Sequence, residues 1–219
     1  LATRMIVLQE MGLKELSAKY AAKTRVVYQS ATSAAPQRPL KNCFEVCVIG
    51  HLREEKDPLR TALALTYLPA ASRIRVTQLG RSLDAELEQE SNRIMTEDPR
   101  YHWRGEVPRW KAARILARSR IMVISSRMEG GANVVSEALT ANVPVIASKI
   151  SGNIGMLGRD YPGYFAAGNE RALAKLLIRA EQDTDFYQTL QRHCRERKKN
   201  ILAAREMNAL KSLVAEVSN

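Results

Sequence analysis

The chain has 219 residues, of which 45% are apolar and 26% are charged, so it can bury the core of a globular protein. Its formal charge of +11 favours an anionic partner such as a nucleic acid, an anionic membrane surface or a phosphorylated substrate. Aromatic residues make up only 5%, too few for the stacking surfaces of single-stranded nucleic acid binding, and no apolar run has the roughly 18 residues of a membrane-spanning helix.

Short apolar runs alternate with helix-like segments along most of the chain. A stretch rich in Ser, Ala and Pro at residues 30–41 predicts a linker. The predicted strands are residues 4–8, 25–28, 44–50, 74–79, 101–104, 121–125, 143–147 and 163–166. The predicted helices are residues 58–67, 83–95, 108–118, 133–140, 172–180, 186–197 and 201–217. This alternation predicts an α/β fold with a Rossmann-like parallel sheet, helices on both of its faces and a helical C-terminus.

Cysteine usage and the start of the chain indicate a cytoplasmic piece of a longer protein. The three cysteines, Cys43, Cys47 and Cys194, form no disulfide framework, which predicts reduced thiols. Cys43, Cys47 and His51 are spaced like metal ligands, but Cys47 falls in an apolar strand and no second ligand pair follows, so we expect no metal. The chain has no signal-peptide pattern, and an apolar strand follows Leu1 almost at once.

Ligands of such a sheet bind at the carboxyl ends of its strands, and the first loop there carries two cations. Gly50 ends a predicted strand, and Arg53 and Lys56 precede a predicted helix. Arg offers a bidentate fork and Lys a compact charge, while the helix start adds N–H groups, a combination that suits a diphosphate. A solvated surface loop would contain the same residue types, so this segment alone does not decide between the two interpretations.

A second loop, after the predicted strand at 121–125, holds two carboxylates. Glu129 lies in the loop and Glu137 on the following helix, with seven residues between them. Gly130 and Gly131 let a ligand approach the backbone just before the helix begins. Because Glu137 has apolar neighbours, its carboxylate needs a hydrogen-bond donor, and a sugar hydroxyl is a natural one.

A third segment, residues 147–158, has glycine at every third position from Gly152 to Gly158. We interpret it as a loop that faces the ligand, although a glycine-rich turn needed only for packing would have the same sequence.

The spacing of Glu129 and Glu137 matches the E-x7-E motif of GT-B glycosyltransferases of family 4, also called group 1, which the chain resembles from about residue 26 to its end. The loop at 50–56 is similar to the diphosphate loop of that family, with His51 where the family usually has Arg. The resemblance implies the C-terminal half of such an enzyme. Residues 1–40 are then the remnant of an N-terminal domain and the linker, and residues 41–219 are the donor-binding domain with its C-terminal helices.

The resemblance also implies a role for each matching residue. Glu129, Arg53 and Lys56 would be catalytic, with Glu129 on the donor sugar hydroxyls and the two cations on the diphosphate. Glu137 would hold the ribose hydroxyls. The other implied donor contacts are Gly50, His51, Gly130, Gly131, Asn133, Val134, Gly152 and Asn153.

The implied reaction is retaining sugar transfer from a nucleotide donor, a UDP-sugar and UDP-N-acetylglucosamine in particular, with no metal or other cofactor. The acceptor would be held by an N-terminal domain that this chain largely lacks, so we expect the chain alone to be inactive. The segments 128–133, 151–153 and 160–164 resemble bacterial selenosugar synthases, in which selenophosphate accepts the sugar.

Other interpretations also fit the sequence. A nucleotide-sugar epimerase shares the GT-B fold but does not need the two glutamates, and the high positive charge is also typical of nucleic-acid-binding proteins, although we expect no nucleic acid partner. The basic helices are compatible with peripheral membrane contact. Apolar positions on the last helix favour dimerisation of the chain; they are Leu202, Met207, Leu210, Leu213 and Val214.

Overall fold

A computed structural model describes residues 2–218 of the chain, and the outermost positions of the two predicted domains, Leu1 and Asn219, lie outside the described residues. The strands are β1 (Met5–Val7), β2 (Thr24–Val26), β3 (Phe44–Ile49), β4 (Ile74–Leu79), β5 (Tyr101–Trp103), β6 (Ile121–Ile124), β7 (Val145–Ser148) and β8 (Tyr164–Phe165). The α-helices are α1 (Glu10–Lys14), α2 (Ala18–Ala21), α3 (Arg60–Ala64), α4 (Ala85–Glu97), α5 (Arg109–Arg118), α6 (Asn133–Thr140), α7 (Ser151–Leu157), α8 (Glu170–Gln182), α9 (Thr184–Lys198) and α10 (Ala203–Ser218).

Six strands form one parallel sheet in the order β5-β4-β3-β6-β7-β8, which confirms the predicted Rossmann-like fold. The order reverses direction between β3 and β6, because the chain moves outward from β3 to β5 and then returns to the other side of β3. The loops after β3 and β6 therefore diverge from neighbouring positions and leave a crevice at the carboxyl edge of the sheet, where ligands of such folds bind.

The central strand β3 is buried on both faces, as its apolar sequence predicts, although it contains Glu45. The carboxylate of Glu45 accepts hydrogen bonds from Arg118 Nε (2.7 Å) and Nη2 (2.8 Å) and from Thr77 Oγ1 (3.0 Å). A buried carboxylate is tolerated only with such partners. These bonds fix β3 to α5 and β4, and so fix the position of the loop that follows it.

The N-terminal segment contains two short helices in addition to the strands predicted at 4–8 and 25–28. β1 and β2 form a separate two-stranded parallel sheet, with the short helices α1 and α2 between them. α1 packs against α7, and the last helix, α10, is joined to this small sheet by ion pairs from Glu216 to Arg4 (3.0 Å) and Arg25 (2.9 Å). Residues 30–41 contain no helix or strand, as predicted for a linker.

The glycine-rich segment after β7 was predicted as a loop, and that prediction is wrong: residues 151–157 form helix α7. Glycine is a poor helix former, yet tertiary packing overrides this preference. Met156 and Leu157 are buried in the core, and the helix ends at Gly158, whose φ of +92° suits glycine. The three glycines therefore lie within or at the end of a helix rather than in a flexible loop.

None of the helices within residues 2–218 is both long and apolar enough to cross a membrane. All three cysteines are buried and free, and burial raises the pKa of Cys47, so its thiol behaves as a small apolar side chain.

Candidate functional site

The crevice between the loops after β3 and β6 contains a pocket of about 280 Å³. Its wall brings together residues from segments more than 70 positions apart in the chain. The predicted site residues that line it are Gly50, Lys56, Glu129, Gly131, Asn133 and Val134. The sheet topology therefore joins the two sequence motifs that were predicted separately.

An ion pair connects the two loops across this pocket. Lys56 Nζ lies 2.6 Å from Glu129 Oε1, and the hydroxyl of Ser126 donates to the same oxygen at 2.6 Å. The Glu129 side chain is 9% exposed and that of Lys56 is 25% exposed, so the pair is only partly screened by water. Each charged group neutralises the other. An anionic ligand can replace Glu129 as the partner of Lys56, and a ligand with hydroxyl groups can replace Lys56 as the partner of Glu129.

A second cavity, of about 360 Å³, adjoins the first and shares Gly50 and Lys56 with it. His51 and Arg53 line this cavity. His51 Nδ1 accepts a hydrogen bond from the backbone N–H of Arg81 (3.2 Å), which leaves Nε2 as the nitrogen that carries the proton of the neutral ring. Arg53 forms an exposed ion pair with Glu55 (2.7 Å). Lys56 is thus the more enclosed of the two predicted cations.

The start of α6 forms part of the first pocket and is open to an anion. Ala132 is the N-cap residue, and its methyl group cannot accept a hydrogen bond, so the first turn of α6 has no side-chain cap. Asn133 and Val134, the first two residues of the helix, line the pocket beside Glu129. Unpaired N–H groups and the helix dipole favour negative charge at this position.

Glu137 lies one turn further along α6 and faces a third cavity, of about 530 Å³, formed by α5, α6 and the linker. Asn133 Nδ2 donates to its Oε1 at 3.2 Å, and Arg109 lies 3.8 Å away. Burial raises the pKa of Glu137, and the charge of Arg109 offsets this only in part. The carboxylate is therefore partly desolvated and has few hydrogen-bond donors, as its apolar neighbours in the sequence indicate.

Gly152 and Asn153 lie behind the loop that carries Glu129. Asn153 is fully buried, and its Nδ2 donates to the carbonyl (2.9 Å) and hydroxyl (3.0 Å) oxygens of Ser148. Ser148 Oγ in turn donates to the carbonyl of Ser126 at 2.6 Å. This chain of hydrogen bonds supports Ser126, which holds Glu129. The structure thus places Asn153 as a support of the loop, whereas the sequence predicts direct contact with the donor.

Sequence reasoning missed two polar residues of the site. Ser126 donates a hydrogen bond to Glu129. Gln78 lines the first pocket, and its Nε2 donates to the carbonyl of Gly50 at 3.2 Å. The buried Oε1 of Gln78 has no hydrogen-bond partner in the described residues. A signal for both was present, because each is a polar residue at or next to the carboxyl end of a buried strand.

Replacing Gly152 by alanine is expected to lower the free energy of unfolding by about 1–3 kcal/mol. The new Cβ would lie 2.1 Å from the carbonyl oxygen of Glu129, a backbone atom that cannot rotate away. Alanine favours a helix over glycine by only about 1 kcal/mol, too little to offset this clash. Urea denaturation measures the effect. The matched control is Gly130→Ala, where no atom lies within 4 Å of the new Cβ, and an equal loss in both variants would contradict the packing argument.

Comparisons with known proteins give the family and the fold of the chain. The family model described as "Glycosyl transferases group 1" matches residues 31–200. No match was found among the curated proteins. Among solved structures, HepE from Anabaena in complex with UDP and glucose has a TM-score of 0.81 at 18% identity, and the match covers 100% of this chain and 64% of HepE.

Two further structures have the same fold. A glycosyltransferase from Rickettsia africae has a TM-score of 0.82 at 15% identity, covering 99% of this chain and 64% of that one. Sucrose-phosphate synthase from Thermosynechococcus elongatus has a TM-score of 0.81 at 19% identity, covering 99% and 59%. The chain thus spans less than two thirds of the length of each. The shared fold is the Rossmann-like domain of GT-B proteins. Because the family model matches 31–200 of its 219 residues, the chain belongs to the group 1 glycosyltransferases.

Proposed function

We propose that this chain binds the nucleotide sugar of a glycosyl transfer reaction and holds the diphosphate at Lys56 and Arg53. The observation that carries the proposal is the Lys56–Glu129 ion pair at the point where the strand order reverses, beside the uncapped start of α6. A diphosphate would draw Lys56 away from Glu129, and Glu129 would then accept hydrogen bonds from the sugar hydroxyls. Glu137 would accept those of the ribose.

The chemistry of transfer explains why the site needs cations more than a strong base. Breaking the anomeric C–O bond develops positive charge on the sugar ring and negative charge on the departing diphosphate. Lys56, Arg53 and the first N–H groups of α6 stabilise the departing charge, and each 1.36 kcal/mol of stabilisation in the transition state raises the rate tenfold. Retention of configuration and independence of metals are part of the proposal because the family resemblance implies them.

A uridine donor is favoured by the structural neighbours. Crystals of Anabaena HepE contain UDP with glucose, UDP alone or UDP-glucose. We therefore propose a UDP-sugar as the donor, with UDP-N-acetylglucosamine and a selenophosphate acceptor as the form that the subgroup resemblance implies. The acceptor would bind to a domain outside these residues, so the chain alone would not catalyse sugar transfer. The reaction would take place in the cytoplasm. The exposed apolar side chains of α10, among them Met207 and Val214, would support self-association of the chain. The basic helices of the chain would support contact with anionic membranes.

Thermal unfolding in the presence of nucleotides tests the proposal. A ligand at 100 times its dissociation constant adds about 2.7 kcal/mol, which at this chain length raises the midpoint by roughly 5–11 °C. We expect this rise with UDP, UDP-glucose and UDP-N-acetylglucosamine, and a smaller one with GDP or ADP. No rise with any of them would contradict the proposal, and a salt-dependent gel shift with nucleic acid would then favour the alternative of a nucleic-acid-binding protein. Release of an epimerised sugar nucleotide would instead indicate an epimerase.

A further inference from the structure

Gln9 links the N-terminal segment to the loop that carries Glu129. It is 2% exposed and caps α1, where its Oε1 accepts hydrogen bonds from the N–H groups of Met11 (2.6 Å) and Gly12 (3.2 Å). Its Nε2 donates to the carbonyl of Gly130 at 3.3 Å, 121 residues away in the chain. Because one end of the amide faces two donors and the other faces an acceptor, both of its ends are satisfied.

The choice of glutamine at this position has a physical reason. Ser, Thr, Asp and Asn are the residues that usually cap helices, and all of them are shorter. Capping alone therefore does not call for glutamine. Only a longer side chain with both an acceptor and a donor can cap α1 and also reach the carbonyl of Gly130. The presence of glutamine at position 9 is therefore explained by its second contact, to Gly130 in the loop that carries Glu129.

Close packing at two glycines shows how tightly this segment is fitted to the site. A Cβ on Gly131 would lie 2.4 Å from Cβ of Leu8, and a Cβ on Gly155 would lie 1.8 Å from Oε1 of Gln9. Residues 8 and 9 therefore lie between Gly131, in the loop that carries Glu129, and helix α7. Neither Gly131 nor Gly155 has space for a side chain. The turn after Glu129 is thus contacted both by Gln9, at the Gly130 carbonyl, and by α7, where Gly152 lies against the Glu129 carbonyl.

We infer that Gln9 is a positioning residue of the donor site, which acts by holding the Gly130 carbonyl so that the adjacent Glu129 faces the pocket. The inference rests on the proposed function. Glu129, which would bind the sugar, immediately precedes Gly130, whereas Glu137 lies on the following helix. Gln9 therefore contributes more to binding of the sugar than to binding of the nucleotide.

The test is Gln9→Glu, made in the 219-residue chain. Glutamate keeps the acceptor that caps α1, but it places an oxygen instead of N–H against the Gly130 carbonyl, which removes that hydrogen bond. Gln89→Glu on α4, an exposed position, is the control with the same change of charge. Should Gln9→Glu fail to fold by circular dichroism, Gln9→Asn takes its place, since asparagine is neutral and caps helices but is one methylene too short to reach Gly130.

Two measurements are made on each variant. Hydrogen exchange of the peptide at residues 126–135 needs no ligand, and we expect it to become at least tenfold faster with Gln9→Glu and to stay unchanged in the control. Calorimetric titration should show about a tenfold loss of affinity for UDP-glucose and a smaller loss for UDP. A purely structural role would weaken both ligands equally, so an equal loss overturns the inference.

The outcomes separate this inference from the proposed function. Unchanged exchange at residues 126–135, or wild-type affinity for UDP-glucose in Gln9→Glu, overturns the positioning role while the donor site stands. If the unmodified chain binds no nucleotide sugar, the proposed function fails, and with it the role of Gln9 in a donor site, even where exchange becomes faster.

Discussion

Replacing Glu137 by glutamine should weaken nucleotide binding ten- to a hundredfold and, at neutral pH, raise the stability of the chain. A carboxylate can accept hydrogen bonds from both ribose hydroxyls, and hydrogen bonds to charged groups contribute about 1.5–3 kcal/mol. The same carboxylate is desolvated by burial, which raises its pKa and disfavours its charged form. Removing the charge therefore relieves a cost of up to about 1 kcal/mol. Titration with UDP and urea denaturation measure the two effects.

The stability gain should depend on pH in a defined direction. In the unfolded chain Glu137 ionises near its ordinary pKa of 4.5, whereas the folded chain binds the proton up to a higher pH. The unfolded state thus loses its proton first, and the stability of the wild-type chain relative to the Glu137→Gln variant falls as the pH rises from the ordinary value through the raised one. Below that window the two proteins should be equally stable. A stability difference that persists unchanged in acid would contradict the assignment to this carboxyl group.

Replacing Lys56 by methionine is expected to weaken UDP about a hundredfold, which corresponds to about 2.7 kcal/mol, and to leave uridine almost unaffected. Methionine keeps the length of the side chain but removes the charge that would bind the diphosphate. It also leaves Glu129 with Ser126 as the partner of Oε1, so the carboxylate would repel an incoming phosphate. Calorimetric titration with the two ligands separates the diphosphate contribution from that of the nucleoside.

Lys175→Met on α8 is the matched control for Lys56, because it removes the same charge from an exposed position. It should leave UDP affinity within about twofold at about 0.15 M salt, where distant exposed charges are largely screened. Arg53→Ala should cause a smaller loss than Lys56→Met, since Arg53 is more exposed and paired with Glu55. Equal losses for UDP and uridine in the Lys56 variant would show that this lysine does not contact the diphosphate.

The sequence predicted the large sheet well because its strands have an unambiguous pattern. The predicted strands at 44–50, 74–79 and 121–125 agree within one residue with β3, β4 and β6, and the largely apolar sequences of β3 and β6 are typical of strands buried on both faces. The short helices α1 and α2 gave no such signal, since four or five residues are too few to show helical periodicity. Helix α7 was missed because its glycines oppose helix formation, and only packing against distant segments overcomes this preference.

The site was predicted in part for a similar reason. Local patterns identified the loop at 50–56 and the segment that carries Glu129 and Glu137, and the parallel topology then brought the two to one edge of the sheet. The partners of each side chain were not predictable in the same way, because they depend on distances across the fold. The Lys56–Glu129 pair, the support of Ser126 by Ser148 and the contact from Gln9 to Gly130 all join segments that have no pattern in common.

The close fit of residues 8 and 9 against Gly131 and Gly155 has a consequence for how this sequence can change through evolution. No side chain larger than hydrogen fits at either glycine while Leu8 and Gln9 keep their places. A homologue with alanine at position 155 must therefore carry a shorter residue at position 9, and one with a side chain at 131 must move the backbone at 8. Substitutions at these four positions should covary among relatives, although more than 120 residues of chain separate the two halves of the contact.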